Sequence, residues 1–172
     1  MAQLLTQNQI AEKSILDING RQTYLGNAFV SGLPVQPVGF TAETPIFLVS
    51  NPAGNTKSFF TFLRRFEIIV TNNQTCTFRF YTNPVITNAG TLQAPRNMRT
   101  SSASPQSTMV TSTFPTVSSF GDPGIRISVA TAGASVEDNV LNIGDPGASY
   151  LLTATSSNAT SPIGFQIFWY EI

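Results

Sequence analysis

The groups in this chain that could do chemistry are nine carboxylates, nine cations and one thiol, and their spacing brings few of them together. There is no histidine. A Ser–His–Asp or Cys–His site therefore cannot form, and histidine metal ligation is excluded. Only Glu137 and Asp138 are adjacent carboxylates. Neighbours on a strand point to opposite faces, so these two cannot flank one glycosidic bond. Asp122 and Asp145 each sit in a Gly-Asp-Pro-Gly tetrapeptide. Either could lend a carboxylate to calcium, but no EF-hand spacing accompanies them, and turn chemistry accounts for both. Cys76 is the single cysteine, so it has no intrachain disulfide partner. On the apolar parity of a predicted strand, it reads as a buried structural thiol. No catalytic residue, metal ligand or cofactor is assigned, and the chain is expected not to be an enzyme.

Two features remain for recognition. Arg64-Arg65 stands mid-strand among phenylalanines. Alternation turns one of the pair toward the apolar side, where a guanidinium needs a partner. Either the strand bends and releases it to solvent, or it pairs with a carboxylate such as Glu171 or Glu67 across a subunit contact. The second feature is the set Trp169, Tyr170, Tyr81 and Tyr150. These rings make a sugar-stacking platform if they converge, and core or interface packing if they do not. Trp169 shares parity with Ile163, Phe165 and Ile167, which favours packing. The triplets Asn73-Gln74-Thr75 and Asn158-Ala159-Thr160 match a glycosylation pattern, but a chain rich in Asn and Thr contains such triplets by chance.

The elements that must position these groups are strands. Phe59–Thr82 reads as the centre: Phe60, Phe62, Phe66, Ile68 and Val70 share one parity, then Cys76, Phe78 and Phe80. The polar Thr71–Thr75 between them predicts a hairpin loop. Such apolar strands need a second layer. Earlier, Met1–Gly20 reads as an arm or short helix, Arg21–Val30 as a strand with a bulge, and the proline-rich Ser31–Pro45 as an extended crossing. A short strand Ile46–Val49 stops at Asn51-Pro52-Ala53-Gly54-Asn55. Later, Gln93–Gln106 reads as a long surface loop, and Pro115 bends Met109–Val117. Both Gly-Asp-Pro-Gly tetrapeptides predict type II turns. Ile163–Ile172 carries apolar groups on both parities and should be a central strand, or one covered by a neighbouring subunit. With eight or nine strands expected, the fold class is all-β: an antiparallel β-sandwich, jelly-roll-like, with an N-terminal arm. An immunoglobulin-type sandwich is second, lacking its Cys–Trp–Cys arrangement. Residues 1–20 form the arm and 21–172 a single sandwich domain.

Composition narrows the function. Charged residues are 10% of the 172 and the formal net charge is zero, against about 25% charged in ordinary soluble domains. Serine, threonine and asparagine hydrate the surface instead. No basic cluster is present to displace counterions, so nucleic acid is not an expected partner. Low net charge favours association. No apolar run reaches the roughly 20 residues of a membrane span, and the N-terminus lacks signal-peptide features. The chain is expected to remain or assemble in the cytoplasm where it is made, with no membrane partner.

Over the Pro45–Asn83 and Glu137–Ile172 blocks the chain resembles a known family. The features are IFLVSNPAGNTKSFF leading into the long strand, TCTFRFYTNPVIT, VEDNVLNIGDPGASYLLTATSSNATSP and the terminal Trp169-Tyr170-Glu171. They are similar to small jelly-roll virion proteins of tailed bacteriophages, which serve as head decoration, head-fibre, neck or tail-fibre components. The resemblance covers about half the chain and consists of strand and turn patterns. It implies a homotrimer, or docking on a symmetric virion lattice, with other virion proteins as partners. The expected function is a non-enzymatic virion structural protein assembled in the host cytoplasm through apolar strand faces. Phe168, Tyr170, Arg64 and Arg65 are its candidate interface residues. The alternative is a carbohydrate-binding receptor module at a fibre tip, with a host glycan as ligand.

Overall fold

Runs of alternating apolar and hydroxyl-bearing residues, broken by proline and glycine, leave the backbone to satisfy its polar groups by strand pairing. The computed structural model describes residues 20–37, 41–68, 75–99, 106–129, 135–138, 142–157 and 162–172. Its strands are β1 (Ala28–Pro37), β2 (Thr44–Ser50), β3 (Phe59–Ile68), β4 (Cys76–Thr82), β5 (Val85–Asn88), β6 (Thr91–Gln93) and β7 (Arg96–Asn97). There follow β8 (Val110–Thr113), β9 (Thr116–Ser119), β10 (Asp122–Val129), β11 (Ser135–Asp138), β12 (Asn142–Gly144), β13 (Ser149–Ser156) and β14 (Pro162–Glu171). Sheet A has the order β11–β3–β14–β1–β7, with β12 also on β3. Sheet B has the order β10–β4–β13–β2–β8–β6, and β5 pairs with β9 as a separate two-stranded sheet.

The expected antiparallel sandwich is what the chain forms. With β11 and β12 counted as one position beside β3, four strand positions of sheet A (β11/β12, β3, β14, β1) accompany four of sheet B (β10, β4, β13, β2). Along these positions the chain changes sheet at every step except β4 to β10, which is jelly-roll order. The short β5 to β9 are additions to that frame, and they raise the strand count above the eight or nine expected.

The core lies between the two sheets. Phe66 of sheet A meets Phe78 of sheet B with ring centres 4.8 Å apart, and Phe47 meets Phe165 at 5.3 Å. Ile163, Phe165, Ile167 and Trp169 are all buried on one face of β14, which runs centrally between β3 and β1 as its composition requires.

Several expectations change. First, β3 and β4 are not a hairpin, because they lie in different sheets. Their shared alternation came from facing each other across the core. The loop residues 71–74 and Val70 lie outside the described residues, as do the side chains of Glu67 and Ile68. Second, the inward parity of β3 switches midway. Phe59 and Thr61 are buried, then Arg64 and Phe66, whereas Phe60 and Phe62 are half-buried. The ladder with β14 shifts between Phe168–Leu63 and Trp169–Thr61, so Phe62 is an extra residue in β3. A β-bulge of this kind reverses which residues face the core.

Third, the first strand starts later and runs further. Residues 20–25 are helical, closed by Gly26 N–H to Thr23 O at 3.0 Å and Asn27 N–H to Gln22 O at 2.9 Å. β1 then continues through Pro34 and Pro37. The described partner on its outer side, β7, reaches only Phe29 and Val30, and the register with β14 shifts between Leu33 and Gln36. Proline is tolerated at such an edge and bulge. Residues 1–19 and residues 100–105 of the expected long loop lie outside the described residues.

The twin tetrapeptides also part company. Gly144-Asp145-Pro146-Gly147 is a type II turn, with Gly147 at φ +91° and Ala148 N–H bonded to Asp145 O at 2.9 Å. In Gly121-Asp122-Pro123-Gly124 the residues after Gly121 belong to β10, where Asp122 pairs Thr82 and Pro123 pairs Tyr81. The same letters are a turn in one place and a strand entry in the other.

Candidate interaction face

The β3 bulge decides what sheet A shows on its outer side. Phe60 before the bulge and Phe62 within it point outward, and on β14 the outward parity belongs to Phe168 and Tyr170. The four rings form a continuous ladder. Phe60 stacks on Tyr170 at 5.3 Å and 10°, Tyr170 on Phe62 at 5.9 Å and 21°, and Phe62 meets Phe168 at 6.3 Å. All four are half-buried. Register extends the surface on both sides. Ile143 of β12 stands beside Phe60 with half its surface exposed, and Val30 of β1 stands beside Phe168. The next row is polar, with Gln166 beside Arg65. Each aromatic contact contributes about 0.5–1.5 kcal/mol beyond area burial, so the ladder is pre-organised.

The outer side of sheet B is different. There Leu48, Tyr81 and Leu151 are buried beneath Ile86, Val117 and Phe120, contributed by or flanking β5 and β9. The chain thus covers one outer face itself.

Of the four expected interface residues, Phe168 and Tyr170 stand in the ladder. Arg65 lies at its polar end, half-buried. Arg64 is a correction: the bulge turns it inward, where it is fully buried with its guanidinium carbon 4.1 Å over the Phe80 ring. It neither bends out to solvent nor offers a surface to a neighbour. Glu171, the suggested arginine partner, serves a different set. It accepts from Ser107 Oγ at 2.5 Å, Thr108 Oγ1 at 2.7 Å, Thr108 N–H at 3.1 Å and Trp169 Nε1 at 3.1 Å. Phe60 and Phe62 were missed as partners in the ladder. The signal was present in Phe62-Leu63-Arg64-Arg65-Phe66, whose two apolar, two cationic, one apolar order breaks period two and demands a bulge.

The four-ring sugar platform does not assemble. Trp169 is in the core against Phe29, and Tyr81 lies beneath Phe120. Tyr150 packs edge-on to Phe59 and donates to Ile143 O at 2.6 Å. Tyr170 alone of the set reaches the ladder.

Polar clusters elsewhere satisfy one another. Glu43 Oε1 accepts from Tyr81 Oη at 2.6 Å and Thr153 Oγ1 at 2.7 Å, and its Oε2 lies 3.4 Å from Arg79 Nη1. Burial, then the bond to Glu43, pushes the Tyr81 phenol above its ordinary range. This cluster, which the sequence did not reveal, fastens the entry of β2 onto β4 and β13. Asp145 accepts from Ser58 Oγ at 2.7 Å and Asp122 from Asn83 Nδ2 at 3.0 Å. Among the described residues no three His, Cys, Asp or Glu side chains group around a common point. Also among them, no helix is long and apolar enough to cross a membrane. Cys76 is buried, and burial pushes its thiol up to about 12. Comparison with protein-family models and with curated proteins finds no match for this chain.

Proposed function

We propose that this chain is a non-enzymatic structural subunit of a virion, a capsid decoration or fibre component, and that it assembles by burying the aromatic ladder of sheet A. The observation that carries this reading is the inequality, among the described residues, of the two outer faces. Sheet B is covered by the chain's own β5 and β9, while sheet A carries Phe60, Phe62, Phe168 and Tyr170 with Ile143 beside them. A contiguous aromatic surface of this kind marks an interaction site. A zero formal net charge adds no long-range repulsion between copies. The jelly-roll strand order agrees with the resemblance to small phage virion proteins, although fold by itself assigns no function.

The partner is a further copy of the chain in a closed ring, three-fold by that resemblance, with other virion proteins as secondary contacts. Closed symmetry is the ordinary means of burying a patch that every copy carries. The glycan-binding alternative has less support, because the ladder rings stack on one another while Trp169 and Tyr81 are buried and Tyr150 packs against Phe59. Light scattering on purified protein tests the assembly step, and micrographs of particles with and without the protein test the virion assignment. A stable monomer at micromolar concentration, or binding to a glycan array without self-association, would overturn the reading.

A further inference from the structure

The geometry points to β5 and β9 as a hinged strap that lifts from sheet B as a unit and uncovers a second apolar face. The first observation is where the backbone enters the left-handed region. Asn83 precedes β5 at φ +55° and Gly90 follows it at +81°; Phe114 precedes β9 at +52° and Gly121 follows it at +88°. One such position therefore lies beyond each end of each strap strand, with a single residue between. Positive φ is uncommon for asparagine and an outlier for phenylalanine, so two of the four positions hold conformations that the surrounding structure must impose.

The four positions form two pairs. A Cβ on Gly121 would fall 2.1 Å from Thr82 O and 2.7 Å from Asn83 O, and one on Gly90 would fall 2.2 Å from Thr113 O and 2.7 Å from Phe114 O. One pair of hinges thus stands at each end of the strap. Pro84 and Pro115, which follow Asn83 and Phe114, lack the N–H with which the chain could rejoin sheet B at once.

The second observation is how little fastens the strap between its hinges. Among the described residues, β5 and β9 pair only with each other. Thr87 Oγ1 bonds to Thr116 O at 3.0 Å, inside the strap, and the Asn88 and Ser119 side chains bond to the hinge amides of Gly90 and Gly121. Among the described residues, hydrogen bonds from 85–88 and 116–119 stay within the strap and its hinges. What holds the strap down is apolar contact, through Ile86, Val117 and Phe120 on Leu48, Tyr81 and Leu151. A groove of about 410 Å³ lies along its margin, lined by Pro45, Phe114, Pro115, Val117 and Phe120 among others. A short element with few bonds to the body opens by itself at lower free energy than the core strands. Lifted, it leaves Leu48, Tyr81 and Leu151 open to solvent and to small reagents.

Thiol labelling tests the strap, with Cys76 as an internal reference because it lies in the main core and is buried. The thiol introduced by Leu151→Cys sits under the strap, and Leu48→Cys provides an independent second position. Under native conditions a small thiol reagent should modify the introduced cysteine on the order of tenfold or more faster than Cys76. Equal rates in either folded variant would mean that the strap opens only when the whole chain unfolds, and would overturn the proposal. The two thiols are compared within one molecule, so the result does not depend on whether sheet A assembles.

Discussion

The indole nitrogen of Trp169 donates to Oε1 of Glu171 at 3.1 Å, and neither side chain has any exposed surface. The same side chain holds Ser107 and Thr108, so one buried carboxyl group ties the segment before β8 to the end of β14. Glu171→Ala should leave the Trp169, Ser107 and Thr108 donors without their acceptor. A buried donor left unsatisfied costs about 1–3 kcal/mol, and of these donors only the Trp169 indole is fully buried, so urea unfolding should show a loss of about 1–3 kcal/mol. Glu171→Gln, which keeps an acceptor oxygen, should lose clearly less. Equal losses would mean that the hydrogen bonds are incidental and that side-chain volume is what counts. Trp169 is the chain's one tryptophan, so its fluorescence reports the transition directly.

Stability should fall in alkali, and Cys76 supplies part of the slope. Its thiol ordinarily titrates at 9.0 and is raised to about 12 in the fold. The unfolded chain therefore releases this proton first, and stability falls with pH in that interval. The contribution is fully present below 9.0 and is lost as pH rises toward about 12. Tyr81 and Tyr150, both raised by burial first, act in the same direction. Cys76→Ala should flatten the slope of unfolding free energy against pH above 9 and leave it unchanged at pH 7. An unaltered alkaline slope in that variant would remove Cys76 from the account.

Phe78 and Tyr81 sit on opposite faces of β4, and both faces are covered. Phe78 has no exposure in the main core, and Tyr81 is 6% exposed beneath Phe120. Phe78→Ala should cost about 3–5 kcal/mol, the range for emptying a packed phenylalanine site. Tyr81→Ala should approach that loss, because it empties the smaller core and leaves Glu43 without its phenol partner. Phe62→Ala, at a half-buried position, should cost clearly less than either. Should Tyr81→Ala prove as mild as Phe62→Ala, then β5 and β9 contribute little to stability.

Alternation carried the fold class, and it carried β14 in full, since Ile163, Phe165, Ile167 and Trp169 all face the core. It could not say which strands pair. Phe66 and Phe78 alternate identically whether they are neighbours in one sheet or, as here, meet across two. That ambiguity produced the expected hairpin. The bulge was legible in the Arg64-Arg65 doublet, but which arginine goes inward depends on the register with β14, and register is a tertiary property. The cover over Tyr81 was not legible. Val85–Asn88 and Thr116–Ser119 are too short and too polar to announce a third layer, and the layer exists because four backbone reversals bring them together. At the candidate face, Phe168 and Tyr170 followed from the two-sided apolar pattern of the last strand. Their partners Phe60 and Phe62 required the bulge.

The last prediction concerns the force that drives assembly. The ladder of Phe60, Phe62, Phe168 and Tyr170 is aromatic throughout, and Arg65 and Gln166 stand at its end rather than within it. Burial of such a surface depends on water leaving apolar area, whereas an interface built on ion pairs is screened over about 10 Å at 0.1 M salt. Association measured by light scattering should therefore survive 1 M sodium chloride and strengthen in sulfate, which is excluded from protein surface. Calorimetry of dilution should give a negative heat-capacity change for association. Phe168→Ser and Tyr170→Ser should each weaken association by tenfold or more while far-UV circular dichroism stays unchanged, because a buried aromatic anchor commonly carries about 2 kcal/mol or more of an interface. Gln166→Ser, beside the ladder, should have little effect. Association that dissolves in salt, or that Gln166→Ser disrupts as strongly as Phe168→Ser, would place the contact on another surface of the chain.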